Sequence, residues 1–196
     1  MHSEIDSDAD TVAAVRPASR GSAAGALGAV LAGALVAVAL GAYAQVHEPR
    51  FFALNIAGFS SPAAVKSWLA TVAVALGVFQ LLSAMAMYRL LPRARTPSWL
   101  RSAHIWSGRL AVLASVPVAV HCLYALGFQT GDQRVLFHSL FGCFFYGAFV
   151  TKMVLLTRAR LAAWVLPIAG GLLFFVLVYT WLTSALWFFQ LKGLTI

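Results

Sequence analysis

Residues 101–160 read RSAHIWSGRLAVLASVPVAVHCLYALGF (101–128), QTGDQR (129–134) and VLFHSLFGCFFYGAFVTKMVLLTRAR (135–160). A bilayer is crossed by about 20 apolar residues in a helix, and both flanking runs reach that length. Six residues join them. The pair carries His104, His121 and His138, three of the five histidines, and sets Arg109 and Lys152 inside the apolar runs. Ionisable groups are expensive in hydrocarbon, so each needs a partner, a route to the surface or a ligand. The fold is decided here, as a hairpin of two spanning helices.

Working outward, the rest of the chain has the same character. Of its 196 residues 61% are apolar and 10% charged, against about 45–50% and 25% in soluble domains. Runs at about 21–46, 63–91, 102–127, 134–157 and 161–189 are each long enough to span. They predict an all-α integral membrane bundle of five transmembrane helices, a single domain over 21–196 in a lipid bilayer. Residues 1–20, acidic and then basic without apolar periodicity, read as a disordered tail. The alternating ten-residue strands of a membrane barrel do not occur.

The net charge of +8 is a topology signal. Arg16 and Arg20 precede the first run, Arg89, Arg93, Arg95 and Arg101 flank the second connection, and Arg158 and Arg160 flank the fourth. The opposite ends hold Arg50, Lys66, Arg134 and Lys192. By the positive-inside rule the N-terminus is cytoplasmic and the C-terminus outside. These cations are dispersed over short connections, so no nucleic-acid partner is expected. Cys122 and Cys143 fall inside helices and read as packing residues rather than a disulfide.

Several local features carry expectations. The first run is crowded with small residues, and Gly21–Gly25, Ala29–Gly33 and Gly33–Ala37 are pairs that let helix backbones approach closely. Ala42-Tyr43-Ala44 resembles a signal-peptide processing site, but the uncharged stretch exceeds a signal core of 7–15 residues, which favours a retained helix. Phe51, Phe52 and Phe59 suit an interfacial loop. Ser61-Pro62 is a helix start, a hydroxyl cap followed by proline. Lys66, one turn in, is expected to snorkel outward. Gln80 is expected to bond a neighbouring helix, and Met85 and Met87 to pack. His47 reads as an exposed loop histidine. Trp181, Trp187, Phe188 and Phe189 suit an outer aromatic belt, and Thr180, Thr183 and Ser184 can bond their own helix's carbonyls.

The histidines sort by depth. At 1.5 Å per residue, His121 lies roughly 9 Å before the outer end of the third helix and His138 roughly 7 Å after the fourth begins. A short connection makes these helices neighbours, so two imidazoles at one depth form an axial pair suited to haem iron. The alternative is a hydrogen bond across the hairpin or to water. Gly142 and Gly108 stand four residues after His138 and His104, where a bare helix face would admit a macrocycle. Pro117 should kink the third helix just before His121. His104 lies near the cytoplasmic end with no second histidine at its depth. Lys152 shares the face of His138 to within about 40° and lies near the level of His104. Lys152 and Arg109 suit either an anion such as a haem propionate or snorkelling to the inner interface.

HIWSGRL, followed by a second histidine, resembles the haem-bearing helix of ferric-reductase-like membrane domains. FHSLFG resembles the Leu-His-Ser-x-x-Gly stretch of transmembrane b-type cytochromes. Across residues 59–189 the strings SSPAAVKSWLA, SAHIWSGRLAVL, VPVAVHCLYALGF, RVLFHSLFGCFFYGAFVTKM and LPIAGGLLF resemble an uncharacterised family of small bacterial multi-pass membrane proteins. These resemblances imply a bacterial plasma membrane and electron transfer by haem b, with His121 and His138 as axial ligands. His104 would stand at an inner-ligand position with Arg109 and Lys152 near it. Lys152 falls where a second inner histidine is expected, so one haem is implied rather than two. The partner would be a redox protein or a quinol, making the chain a component of a membrane oxidoreductase. No nucleotide-binding motif occurs. The rival reading is a haem-free subunit or scaffold that docks through its first helix. A transporter is disfavoured, since Glu48 and Asp132 both fall in loops.

Overall fold

The computed structural model describes residues 20–51, 53, 55–91, 96–159 and 161–196. The expected tail up to residue 19, with Arg16, and also Phe52, Arg93, Arg95 and Arg160 lie outside the described residues, as does the side chain of Arg20. Among the described residues every regular element is helical: α1 (Arg20–Val46), α2 (Pro62–Met87), α3 (Leu100–Val120), α4 (Gln133–Leu156), α5 (Val165–Trp181) and α6 (Trp187–Lys192). A π-helical segment, His121–Leu126, continues α3, and a second, Leu182–Leu186, joins α5 to α6. Five helical stretches are therefore long and apolar enough to cross a membrane.

The starts and stops have local causes. Ser61 caps α2 by accepting a hydrogen bond from the Ala64 amide at 3.1 Å, and Pro62 follows at the first helical position. Asp132 caps α4 in the same way, through Val135 at 2.9 Å. The second helix stops at Met87, short of the expected 91, because Arg89 turns left-handed at φ 56°. The fifth begins at Val165 instead of 161, after a turn closed by the Val165 amide on the Ala162 carbonyl.

We call the end of the bundle bearing the first and third connections the odd end, and the other the even end. α4 packs against α1 on one side and α5 on the other, while α2 packs against α3 and α5. The order around the bundle is thus α1, α4, α5, α2, α3. Lipid removes the usual hydrophobic drive between helices, so close contact between small residues has to hold them together. The buried apolar set is accordingly rich in alanine, and Leu35 on α1 is left 70% exposed. At the α1–α4 crossing a Cβ on Gly147 would stand 2.5 Å from the Gly33 carbonyl oxygen and 2.8 Å from the Ala37 side chain. The Gly33–Ala37 pair is therefore the contact face of α1.

α3 and α4, joined by a short connection, do not pack backbone to backbone among the described residues. They meet through a 2.9 Å hydrogen bond between Ser115 and Tyr146. This departs from the expected close hairpin. Pro117 lies inside α3 and cannot bond the carbonyl four residues back, and the helix widens into its π segment from His121. The connection between α1 and α2 is laced onto that segment: Phe51 donates to the Ala125 carbonyl at 3.0 Å and Phe128 to the Ala44 carbonyl at 2.8 Å. The C-terminus closes the odd end, where Ser60 donates to the Ile196 carbonyl and the Trp68 indole to the Thr195 carbonyl.

Candidate functional site

His138 stands in the second turn of α4, half-buried, with its Nδ1 3.2 Å from the Thr183 hydroxyl. The Thr183 hydroxyl donates to the Tyr179 carbonyl at 3.0 Å. The Thr180 carbonyl lies 3.1 Å from the same hydroxyl. When its hydrogen goes to either carbonyl, the hydroxyl accepts from Nδ1–H and Nε2 keeps a lone pair. Orienting the ring through one nitrogen while leaving the other basic is how proteins prepare imidazole as a metal ligand. Thr183 is held in turn, since its carbonyl accepts from Arg134 at 2.6 Å. That guanidinium stacks over Trp187 at 4.0 Å and lies 3.8 Å from Asp132.

The separation of α3 from α4 leaves a chamber of about 100 Å³, walled by α2, α3, α4 and α5. His138 and Gly142 line it on α4, Ser115 and Ala119 on α3, Cys122 on the first π segment, and Trp181 on α5. A Cβ on Gly142 would meet nothing within 4 Å, so that face of α4 is bare. Trp181, expected in the outer belt, faces this chamber and donates from its indole to Thr71 at 2.9 Å. The fifth helix thus supplies both a wall and the residue that orients His138. Its threonine pattern was legible as capping of its own carbonyls, not as support for a neighbour.

His121 belongs to the π segment whose Cys122 and Leu123 line the chamber, but is not itself among the lining residues. Lys66 lies within electrostatic range of His121, Cys122 and His138. Lys66 thus shares the odd half of the bundle with both histidines.

The other candidates lie apart. His104 is near the even end, with its Nδ1 2.6 Å from the Ser83 hydroxyl. Gln80 donates to the His104 carbonyl and, at 2.7 Å, to Ser107, so it ties α2 to α3 as expected. Its side chain also fills the space over Gly108, 3.1 Å from where a Cβ would stand. The bare face expected beside His104 is occupied. Arg109 points away from this cluster, exposed and 4.9 Å over the Trp106 ring. Lys152 is close enough to His104 to act on its charge, and its ammonium lies 4.0 Å from the Cβ position of Gly170. His47 is not an exposed loop residue. It stacks between Tyr43 and Tyr124 at 5.0 and 4.7 Å, with Nε2 buried and unbonded. Sequence spacing gave no signal for this, because Tyr124 comes from a different helix.

Tested against a haem, the donor chemistry fits: a nitrogen prepared on His138, a bare Gly142 beside it and a wall of small and aromatic residues. The width does not. Pockets for drug-sized ligands run to about 300–1,000 Å³, and a haem is no smaller than those ligands. A macrocycle would have to widen the gap between α3 and α4.

Residues 26–196 match DUF6529, a family of unknown function, and the chain belongs to that family. No curated protein and no solved structure gives a significant match.

Proposed function

We propose that this member of the family is a membrane electron-transfer protein of the b-type cytochrome kind, with one haem b held between the third and fourth helices by His138 and His121. The observation that carries the reading is the Thr183 hydroxyl at Nδ1 of His138, an arrangement that leaves Nε2 basic when Nδ1 donates, on a residue lining a chamber bare at Gly142. Haem b would supply one-electron redox chemistry there. The chain's own residues do the rest. Thr183, itself held by Arg134, orients the imidazole through Nδ1. Trp181 and Tyr146 line the chamber with aromatic surface. Lys66 and Arg134 bring positive charge to this end, which suits the anionic edge of such a group. The arginine-rich even end would face the cytoplasm and the odd end the outside, in a bacterial plasma membrane. Electrons would come from a separate redox protein or a quinol.

A second reading, a haem-free subunit of a larger membrane complex, is favoured by two observations: the chamber, at about 100 Å³, is smaller than a ligand of haem's size needs, and His121 does not line it. Adding haemin to the purified, detergent-solubilised full chain separates the two. Electron transfer through haem predicts a Soret band that saturates near one equivalent per chain, and weaker uptake in His138→Ala. Absence of saturable uptake by the folded wild-type protein supports the haem-free subunit and overturns the first reading.

A further inference from the structure

Three sides of the His138 chamber are closed by packed helices, and the fourth is not. α4 packs on α5, α5 on α2 and α2 on α3, whereas α3 and α4 meet through the Ser115–Tyr146 hydrogen bond at 2.9 Å. Between Leu100–Val120 and Gln133–Leu156 it is the one hydrogen bond among the described residues. Both of its residues line the chamber. Ser115 also donates to the Val112 carbonyl of its own helix at 2.8 Å, so its hydroxyl keeps a partner when Tyr146 lets go.

α3 is built to bend at this point. Its even half is tied to α2, where Gln80 and Ser83 hold His104 and Ser107. Its far end is tied to the first connection, where the Phe51 amide donates to the Ala125 carbonyl. Between these anchors stands Pro117, two residues beyond Ser115, with the π segment starting at His121. Proline removes one rung of the helical ladder, and a π turn shifts the hydrogen-bond register. On the facing helix Gly142, one turn before Tyr146, sets no side chain across the gap.

The depth decides what can pass. α3 with its π segment spans Leu100–Leu126, 27 residues, about 40 Å across a hydrocarbon core of about 30 Å. Ser115 lies roughly 16 Å from the nearer end of that span, and Tyr146 roughly 15 Å from the nearer end of α4. α1 packs on the π segment but not on α3 among the described residues, and Val116, next to Ser115, is left 41% exposed. The gap at that level is therefore bordered by lipid, and a ligand using it arrives dissolved in the bilayer. The walls suit such a ligand, being largely apolar at Ala73, Ala119, Leu123, Phe145 and Leu177. A hydrogen bond between membrane helices shifts an equilibrium about threefold on average and about twentyfold at most. That biases the gap shut without sealing it.

We propose that Ser115–Tyr146 is the latch of a lateral mouth between α3 and α4, through which an apolar ligand dissolved in the membrane enters the His138 chamber. The latch does not depend on haem. For the haem reading, the same opening provides the width that a macrocycle lacks in the closed chamber.

The test uses the full chain in liposomes, carrying Cys122→Ala and Cys143→Ala and one reporter thiol, Gly142→Cys, where a Cβ meets nothing within 4 Å. A lipophilic maleimide should label that thiol about threefold to twentyfold faster when Tyr146→Phe removes the bond, in proportion to the open population. Ser115→Ala, which removes the same bond from the other side, should do the same and serves alone if Tyr146→Phe does not fold. A thiol at Val176→Cys instead, fully buried on α5, should keep its rate. Unchanged labelling of Gly142→Cys overturns the latch, as does an equal rise at Val176→Cys, the mark of a generally loosened bundle. Equally fast labelling by a charged, membrane-impermeant thiol reagent overturns lateral entry in favour of a water-filled opening. Haemin uptake is read separately. A chain that labels as expected but takes up no haemin keeps the latch and loses the haem reading, and the converse pattern does the reverse.

Discussion

Thr183 controls His138 through a single hydroxyl, and its effect is separable from that of its neighbours. Thr183→Val keeps shape and volume but removes the acceptor for Nδ1–H. Loss of such an orienting partner typically costs about 10–100-fold in ligand affinity. Haemin uptake by Thr183→Val should fall by that order, while Thr180→Val, whose hydroxyl bonds only the Val176 carbonyl of its own helix, should bind as wild type. Equal behaviour of the two variants would dismiss the orienting role. At the even end Ser83 is 3% exposed and bonds both His104 and its own helix. Ser83→Ala should lower stability by about 1 kcal/mol, the upper part of the range for polar contacts between membrane helices. Detergent-titrated unfolding measures this. Ser61, Pro62 and Gln80 act as their chemistry in the sequence indicates, since caps and polar intramembrane amides are specified locally. His47 and Trp181 do not. Which way such side chains turn depends on helices distant in the chain.

At the scale of elements, two glycines five residues apart on α4 do opposite things. Gly147 is pressed against α1 and Gly142 opens onto the chamber. Gly147→Leu should drive α1 off α4 at an overpacking cost of about 1–3 kcal/mol or more, visible as lost stability or lost cross-linking between cysteines placed across that crossing. Gly142→Ala meets nothing and should leave stability within about 0.5 kcal/mol, yet narrow the site beside His138. If Gly142→Ala bound haemin as wild type, the bare face would have no role in the binding. The small-residue pattern made the α1 contact readable, because Gly33 and Ala37 stand one turn apart. The two π segments were not readable. A π turn alters hydrogen-bond register without a residue signature, and Pro117 announced only a kink. Those segments hold Thr183 and carry His121, so the support around the histidines was hidden where local geometry departs from the regular helix.

For the whole molecule, composition and run length alone specified five spanning helices, since lipid leaves the backbone few alternatives. Neighbour order was less legible. A short connection suggested that α3 and α4 pack together, whereas α4 finds closer partners in α1 and α5 and the hairpin stands open. Orientation follows from charge: reporter fusions after Lys192 should be active outside and those in the second connection inside, and the reverse pattern would reject the positive-inside reading. The central claim is that the open hairpin holds a haem between His121 and His138. Its most direct test is the reduced-minus-oxidised absorption spectrum of the full chain expressed with ample haem. A b-type signal in the wild type, lost in both His121→Ala and His138→Ala while the variants remain folded, is the predicted result. A colourless wild-type protein, or a signal that survives both substitutions, would contradict it.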